Sequence, residues 1–185
     1  KMMRYHNDID KKMSLYGELI IRAICSKSNS ILPQDIFIET DINGKPFVKG
    51  DFNIYFNISH TKNAVFCAIS NIGEIGADIE MIGPYLPEVM CYIAHPEEIE
   101  LMKYIPKEKR AMVFYEIWTR KEAYGKKNGL GICQDLKKIN TLVSDYGKQF
   151  VSWKEKQYIC SLCTDQKEMN YKHVLTEERV REDLS

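Results

Sequence analysis

Two acidic residues stand two positions apart in the segment Gly76-Ala77-Asp78-Ile79-Glu80. On a β-strand, Asp78 and Glu80 would project from the same face, because side chains alternate along a strand. Neighbouring carboxylates repel each other and raise each other's pKa unless a positive charge lies between them. A hard divalent cation removes this repulsion, and Mg²⁺ favours carboxylate, phosphate and water oxygens. The segment therefore indicates a candidate magnesium site, although an exposed strand face of alternating polarity has the same pattern.

A third carboxylate and an ammonium group occur together in the segment Trp118-Thr119-Arg120-Lys121-Glu122-Ala123-Tyr124-Gly125-Lys126. Glu122 and Lys126 are one helical turn apart, so they share a face of the predicted helix. The carboxylate could complete a metal site, and the ammonium could neutralise a phosphate. The alternative is an exposed ion pair, which contributes less than about 1 kcal/mol to stability.

Two shorter segments carry groups that suit a bound nucleotide. Asn57-Ile58-Ser59-His60-Thr61 ends a predicted strand, where histidine and hydroxyl side chains can donate hydrogen bonds to a phosphate. A turn or capping cluster is the more common role of such residues. Asn43-Gly44-Lys45-Pro46 is a turn with one basic residue, and alone it indicates no function.

The elements that must position these residues follow from hydrophobic periodicity and from the glycine and proline positions. Helices are predicted at 8–26, in two pieces around Pro96 between 87 and 104, and at 107–128, where Gly129-Leu130-Gly131 ends the last one. Strands are predicted at 36–38, 53–59, 64–70, 75–81, 139–143, 150–153, 158–164 and 172–175. The runs 53–59 and 64–70 flank a short polar turn and predict a hairpin. We therefore expect a fold of the α+β class.

The charges of the chain are balanced in total but unevenly distributed. Its 185 residues include 26 basic and 26 acidic side chains. Residues 63–102 contain no Lys or Arg, whereas residues 103–138 contain ten basic against four acidic residues. This division suits a cation site beside a surface for an anionic partner, or simply two differently solvated faces.

Composition also argues against some classes of partner. The chain is neutral and has no basic stripe interleaved with aromatic residues, so nucleic-acid binding is not expected. No run approaches the ~20 apolar residues that span a bilayer. Residues 1–12 lack the apolar core of a signal peptide. A cytoplasmic protein without membrane contact is the expectation.

In chain order, these motifs resemble those of the 4'-phosphopantetheinyl transferase family. They occupy residues 44–46, 57–61, 76–80, 118–126 and 129–131. The similarity extends over about residues 4–132 and is closest to the two-half type that activates nonribosomal peptide and polyketide synthetases. The D-x-E and W-x-x-K-E-A-x-x-K motifs at this separation are quite specific.

The resemblance implies a role for each candidate site residue. By position these are the magnesium ligands Asp78, Glu80 and Glu122; the phosphate contacts Lys126, Ser59 and His60; the adenine contacts Lys45 and Pro46; and Lys12 for the ribose phosphate. Glu122 and Lys126 would also be the catalytic residues. Mg²⁺ would be the cofactor and coenzyme A the substrate.

The resemblance also implies an architecture. It consists of two similar α+β halves, related by pseudo-twofold symmetry, with the active site at their interface. The halves would comprise residues 1–74 and 75–185, and a chain holding both halves is expected to act as a monomer. The matching region starts almost at the first residue, so either the first half is reduced or the chain lacks its first strand and helix.

The implied reaction moves 4'-phosphopantetheine from coenzyme A to a serine of an apo acyl or peptidyl carrier protein and releases adenosine 3',5'-bisphosphate. Glu122 would accept the serine proton, directly or through a metal-bound water. The basic stretches 107–110 and 120–127 are expected to attract an acidic carrier. Two alternatives remain: an inactive module that binds coenzyme A or a nucleotide, and an interaction domain without a cofactor.

Overall fold

The computed structural model describes residues 8–50, 52–130, 135–143 and 149–165, and these form helices and small antiparallel sheets. The helices are α1 (Asp8–Asn29), α2 (Pro87–Ile93), α3 (Pro96–Tyr104) and α4 (Lys107–Lys127). The strands are β1 (Ile38–Thr40), β2 (Pro46–Val48), β3 (Tyr55–Thr61), β4 (Ala64–Ser70), β5 (Ile75–Met81), β6 (Gln149–Glu155) and β7 (Tyr158–Thr164). The predicted α+β class is confirmed. No helix in these ranges is long and apolar enough to cross a membrane.

The strands form three separate sheets. Strands β1 and β2 pair antiparallel, and β3 and β4 form the predicted hairpin, in a register that runs from Tyr55 opposite Ser70 to Thr61 opposite Ala64. The third sheet has the order β5-β7-β6, with Asp78 opposite Ser161 on the central strand. The predicted strand 158–164 agrees with β7 at both ends. No backbone ladder joins β3 to β5 within the described ranges.

Of the four hydrophobic clusters among the described residues, the two largest involve the helices. The first lies between α1 and the neighbouring strands and buries Ile21, Cys25, Ile36, Val48 and Phe56. The second joins α2, α3 and α4 through Met90, Ile93, Ala94, Met102, Phe114 and Ile117. The helix predicted at 107–128 contributes Phe114 and Ile117 to this second core. Its last turn is followed by Gly129, whose φ of +63° is a left-handed conformation that glycine adopts without strain.

Helix α4 lies directly against strand β5. A Cβ atom added to Gly76 would clash with the carbonyl oxygen of Ala123 and would lie 2.6 Å from the backbone nitrogen of Lys127. Only a residue without a side chain allows the two backbones to approach this closely. Gly76 therefore sets the distance between the strand with the D-x-E motif and the helix with Glu122.

A buried ion pair holds the other side of α4. Lys121 Nζ lies 2.9 Å from Glu98 Oε2 on α3, and the two side chains are 1% and 0% exposed. The Lys121 ammonium also donates hydrogen bonds to the carbonyl oxygens of Leu136 and Ile139. Glu98 Oε1 accepts hydrogen bonds from the backbone nitrogen and the hydroxyl of Thr141 at 2.8 and 2.7 Å. Both charges are thus fully compensated in the interior.

The same contacts explain a wrong prediction. Residues 139–143 do not form the expected strand; they follow a short 3₁₀ turn, Leu136–Lys138, without sheet pairing. Their backbone groups bond to the Lys121 and Glu98 side chains instead of to a neighbouring strand. The strand predicted at 36–38 is shifted to Ile38–Thr40. Gly131 and the strand predicted at 172–175 lie outside the described residues.

We predict that Gly76→Ala destabilises the protein by about 1–3 kcal/mol, the usual range for overpacking. The added methyl group must push α4 away from β5 because it meets backbone atoms that cannot rotate aside. Urea unfolding measures the effect. Gly73→Ala is the matched control, since no described atom lies within 4 Å of a Cβ added there, and a similar loss in both variants would contradict the assigned contact.

We predict that Lys121→Met lowers the free energy of unfolding by about 3–5 kcal/mol, because it leaves the buried Glu98 carboxylate uncompensated. Thermal and urea unfolding should report the loss. The matched control is Lys109→Met in the exposed first turn of the same helix, expected to change stability by less than about 0.5 kcal/mol. Equal stability of the two variants would disprove the role of the pair.

Candidate active site

Three side chains from different elements meet beside β5. Lys126 Nζ on α4 lies 2.6 Å from Asp78 Oδ1 and 2.8 Å from Ser59 Oγ on β3. The Ser59 hydroxyl donates a hydrogen bond of 2.8 Å to Asp78 Oδ1. Asp78 is 3% and Ser59 5% exposed, so these polar contacts are shielded from water. Asp78 Oδ2 is buried and has no hydrogen-bond partner among the described residues.

Glu80 lies on the same face of β5 as Asp78 and is half-buried. Burial and the charge of Asp78 raise its pKa to about 7, with a smaller contribution from Glu122. A hydrogen bond from Trp118 and the charge of Lys126 act in the opposite direction. Glu80 is therefore a crowded carboxyl group that a further cation would stabilise in its ionised form.

Glu122 lies on α4, the helix that packs against this strand, and it is also half-buried. Burial and the charge of Asp78 raise its pKa, while Lys126 lowers it. The sequence-predicted pairing of Glu122 with Lys126, one turn apart on α4, thus brings both groups within electrostatic reach of Asp78. The structure assembles the predicted carboxylates of strand and helix in one region.

These carboxylates suit a magnesium ion chemically. They offer hard oxygen ligands, one buried oxygen of Asp78 has no described partner, and two crowded glutamates have raised pKa values. Within the described ranges, however, no three His, Cys, Asp or Glu side chains are arranged as a group that could hold a metal ion. The Lys126 ammonium contacts Asp78 in this arrangement. Magnesium ligation by Asp78, Glu80 and Glu122 therefore stays a prediction.

A cavity of about 310 Å³ lies where the β1–β2 hairpin meets β3, and Lys45 and Pro46 form part of its wall. Phe47 and Tyr55 add aromatic surface, and Glu74 adds a carboxylate. Lys45 Nζ pairs with Glu74 and donates a hydrogen bond of 2.7 Å to the carbonyl oxygen of Lys127 at the end of α4. The predicted adenine contacts therefore line a partly open pocket next to the helix that carries Lys126.

The remaining predicted phosphate contacts are distributed over two faces of β3. Ser59 faces β5, where it bonds to Asp78. His60 is on the opposite face, because neighbouring strand residues point in opposite directions; this is the face of Ile58, which packs in the α1 core. Lys12 is exposed on α1, with its ammonium 5.4 Å from the centre of the Tyr16 ring. Ser59 and His60 do not form one cluster.

The expected basic docking surface needs a correction. Lys121 is 1% exposed and pairs with Glu98, and Lys127 is 7% exposed and lies 2.6 Å from Asp165. Arg120 is half-buried, pairs with Glu116 and bonds to Ser152 Oγ. The positive charges of Arg120, Lys121 and Lys127 are therefore paired with carboxylates of the same protein and are not presented to a partner. Of the predicted basic positions, Lys107 and Lys109 are exposed.

Several contacts that support the site were not predicted from the sequence. Asn57 is 4% exposed, and its Oδ1 accepts a hydrogen bond of 2.9 Å from the backbone nitrogen of Ala77. Asn57 and Ser59 are two positions apart on β3, so period-two alternation could have placed both on one face of β3, but it does not reveal that this face contacts β5. The Glu98 partner of Lys121 and the Trp118 bond to Glu80 depend on tertiary contacts.

Comparison with protein families gives two matches that together cover most of the chain. Residues 74–177 match the model of the 4'-phosphopantetheinyl transferase superfamily. Residues 1–71 match the model of the 4'-phosphopantetheinyl transferase N-terminal region.

Individual relatives show the same similarity. The chain is 38% identical to 4'-phosphopantetheinyl transferase gsp of Aneurinibacillus migulanus over 70% of its own length and 54% of that protein. It is 31% identical to the putative 4'-phosphopantetheinyl transferase slr0495 of a Synechocystis strain, over 74% of the chain and 57% of the relative. With 4'-phosphopantetheinyl transferase Sfp of Bacillus subtilis it shares 26% identity, over 93% and 76%. The chain thus spans little more than half the length of the first two relatives.

We predict that the metal-free protein loses stability as pH rises, because of its crowded glutamates. The pKa of Glu80 is raised from 4.5 to about 7, so the folded state binds this proton more tightly than the unfolded state. The resulting stabilisation is complete below about pH 4.5 and is lost as pH passes about 7. In EDTA, raising the pH from about 5 to about 8 should lower the midpoint temperature of thermal unfolding more in the wild type than in Glu80→Gln.

The control for this comparison is Glu88→Gln, which removes an exposed carboxylate from α2. It should keep the pH dependence of the wild type. If Glu80→Gln kept the pH dependence of the wild type, the Glu80 carboxyl group would not be the source of that dependence.

Proposed function

The chain belongs to the 4'-phosphopantetheinyl transferase superfamily, and from this membership we propose that it transfers 4'-phosphopantetheine from coenzyme A to a serine of an apo carrier protein. Adenosine 3',5'-bisphosphate is the second product. The observation that carries the proposal is the contact of Lys126 with Asp78 beside the half-buried Glu80 and Glu122. This arrangement combines a candidate phosphate-binding ammonium with candidate ligands for a cation.

In this proposal Asp78, Glu80 and Glu122 hold Mg²⁺. The unpartnered Asp78 Oδ2 and the raised pKa values of both glutamates support this choice, since a cation would relieve the crowding. When bound, the ion supplies Lewis-acid stabilisation of the negative charge on the pyrophosphate.

Lys126 contributes the second positive charge. Its ammonium carries three hydrogens, and the contacts with Asp78 and Ser59 occupy two of them. The remaining hydrogen can be donated to an oxygen of the pyrophosphate. Hydrogen bonds and charges fixed in advance stabilise charge that develops in the transition state.

Glu122 accepts the proton of the attacking serine, directly or through a water. The serine oxygen forms a bond to the β-phosphorus of coenzyme A, while the bond from this phosphorus to the bridging oxygen breaks and adenosine 3',5'-bisphosphate leaves. The pKa of Glu122 is raised while no cation is bound, and a bound cation would lower it, which favours proton transfer through a water. Most of the rate enhancement comes from the positioning of the two reactants.

The nucleotide of coenzyme A occupies the cavity at the β1–β2 hairpin. Its wall combines Lys45 and Pro46 with the aromatic rings of Phe47 and Tyr55, which suits a planar base with a few polar edges. Lys12 binds the ribose phosphate of the nucleotide, and His60 contacts the nucleotide's phosphates. Both remain proposals that rest on their motif positions.

The proposal includes two related halves, residues 1–74 and 75–185, with the site between them. It is supported by the separate family matches to residues 1–71 and 74–177. Contacts from Asn57 and Ser59 to Ala77 and Asp78 also connect the two regions. The protein acts as a cytoplasmic monomer on acyl or peptidyl carrier proteins.

The decisive experiment incubates the chain with coenzyme A, Mg²⁺ and a panel of apo carrier proteins. Mass spectrometry should detect the added phosphopantetheine on the carrier serine, and EDTA should abolish the addition. We predict that Glu122→Gln lowers the rate by about 10²- to 10⁴-fold, as expected for loss of a general base. Glu88→Gln serves as the control with wild-type activity.

Transfer at the wild-type rate by Glu122→Gln would refute the role of this carboxylate. Binding of coenzyme A without transfer to any carrier would instead identify an inactive binding module. The absence of both binding and transfer would indicate an interaction domain.

A further inference from the structure

The cavity at the β1–β2 hairpin has a wall that carries more negative than positive charge. Among the described residues that line it, Lys45 supplies the one ammonium, whereas Asp41 and Glu74 supply two carboxylates. The ammonium is already paired with Glu74 and donates a further hydrogen bond of 2.7 Å to the Lys127 carbonyl oxygen. A phosphate would be repelled by this wall, so the cavity favours a neutral part of a ligand.

The two carboxylates of the wall differ in their contacts. Asp41 Oδ1 accepts hydrogen bonds of 2.9 and 2.8 Å from the backbone nitrogens of Asn43 and Lys45. These bonds fix the turn between β1 and β2, so this oxygen is committed to the hairpin. Glu74 is bound through Oε2, which accepts a hydrogen from the Lys45 ammonium. Its Oε1 accepts no hydrogen bond from a described residue, and the side chain is 51% exposed.

The chemistry of Glu74 Oε1 limits the groups that it can recognise. An ionised carboxylate has only acceptor atoms, so Oε1 requires a donor from the ligand. Under the proposed function, on which this inference rests, the neutral part of the ligand in this cavity is adenine. The exocyclic amino group is the donor on the adenine edge. A carboxylate beside the apolar wall of Pro46, Phe47 and Tyr55 can accept a hydrogen from this group.

We propose that Glu74 is a specificity-determining residue for the base of coenzyme A. Its Oε1 accepts a hydrogen from the adenine amino group, while Oε2 keeps its contact with Lys45. A purine that lacks the amino group loses this hydrogen bond. A purine with a carbonyl oxygen in the same position would place one acceptor against another. The Lys45 ammonium orients the Glu74 carboxylate in this arrangement.

The test compares two nucleotides that differ only in the amino group, adenosine 3',5'-bisphosphate and purine riboside 3',5'-bisphosphate. Titration calorimetry gives the dissociation constant of each, both in the presence of Mg²⁺. The readout is the ratio of the two constants. A general change in the shape or charge of the cavity affects both nucleotides alike and leaves this ratio unchanged.

Three variants are compared with the wild type. Glu74→Met keeps a side chain of similar length and removes both acceptor oxygens, whereas Glu74→Gln keeps one acceptor oxygen without the negative charge. Glu39→Met is the matched control. It removes a carboxylate of the same hairpin that also pairs with a lysine and is 49% exposed, but that does not line the cavity.

The wild type should bind adenosine 3',5'-bisphosphate about tenfold more tightly than purine riboside 3',5'-bisphosphate, as expected for a hydrogen bond to a charged group. In Glu74→Met this preference should fall below about twofold, because the acceptor is lost. Glu74→Gln should show an intermediate preference, and Glu39→Met that of the wild type. Circular dichroism checks folding; if Glu74→Met does not fold, a reduced preference in Glu74→Gln decides.

A preference that persists unchanged in both Glu74 variants would overturn the proposal, because other atoms would then recognise the amino group. Equal affinities of the wild type for the two nucleotides, or no binding of either, would overturn it as well. The proposed function is judged separately by the transfer assay. A wild type that transfers phosphopantetheine without the amino-group preference would keep that function and lose this inference, whereas a Glu74-dependent preference without transfer would do the reverse.

Discussion

Strand β5 and helix α4 meet at Gly76 with no side chain between their backbones. This close approach brings the two carboxyl groups of one element into the electrostatic reach of Glu122 and Lys126 on the other. The buried Lys121–Glu98 pair holds the helix from its other side. Together the two contacts determine the rotation of α4 about its axis, and hence which residues of α4 face the strand. The chemistry of the site depends on this packing.

The site concentrates negative charge in a partly buried place and compensates it incompletely. Lys126 contacts only one oxygen of Asp78, and the pKa values of Glu80 and Glu122 remain raised. Such an arrangement is unfavourable for the isolated protein, because buried carboxylates need partners. In the proposed function, a cation and an anionic ligand that enter together would relieve this crowding, since each neutralises the other. Perturbed pKa values of this kind are typical of functional sites.

Local sequence patterns predicted the elements whose residues contact near neighbours. Strands β4 and β7 and helix α4 agree closely with expectation because periodicity and glycine positions determine them locally, whereas β3 is shifted by two residues from the predicted 53–59. Residues 139–143 failed as a strand because Lys121 and Glu98, distant along the chain, bind their backbone. The prediction of a docking surface at the basic stretch 120–127 was wrong for the same reason, because the formal charge of a side chain does not reveal its burial. The D-x-E and K-E motifs identified the acidic groups, but the part played by Asn57 and Ser59 required the fold.

Lys45 contacts both the cavity at the β1–β2 hairpin and the end of helix α4. Its ammonium pairs with Glu74 at the cavity and also bonds to the Lys127 carbonyl, one residue beyond Lys126. A ligand in the cavity that draws this ammonium away from the Lys127 carbonyl would remove a hydrogen bond from the end of α4. Thermodynamic linkage is reciprocal, so any change in the free energy of the helix end caused by the ligand returns as an equal change in ligand affinity. If the ligand displaces this contact, its affinity and the stability of the helix end are therefore coupled.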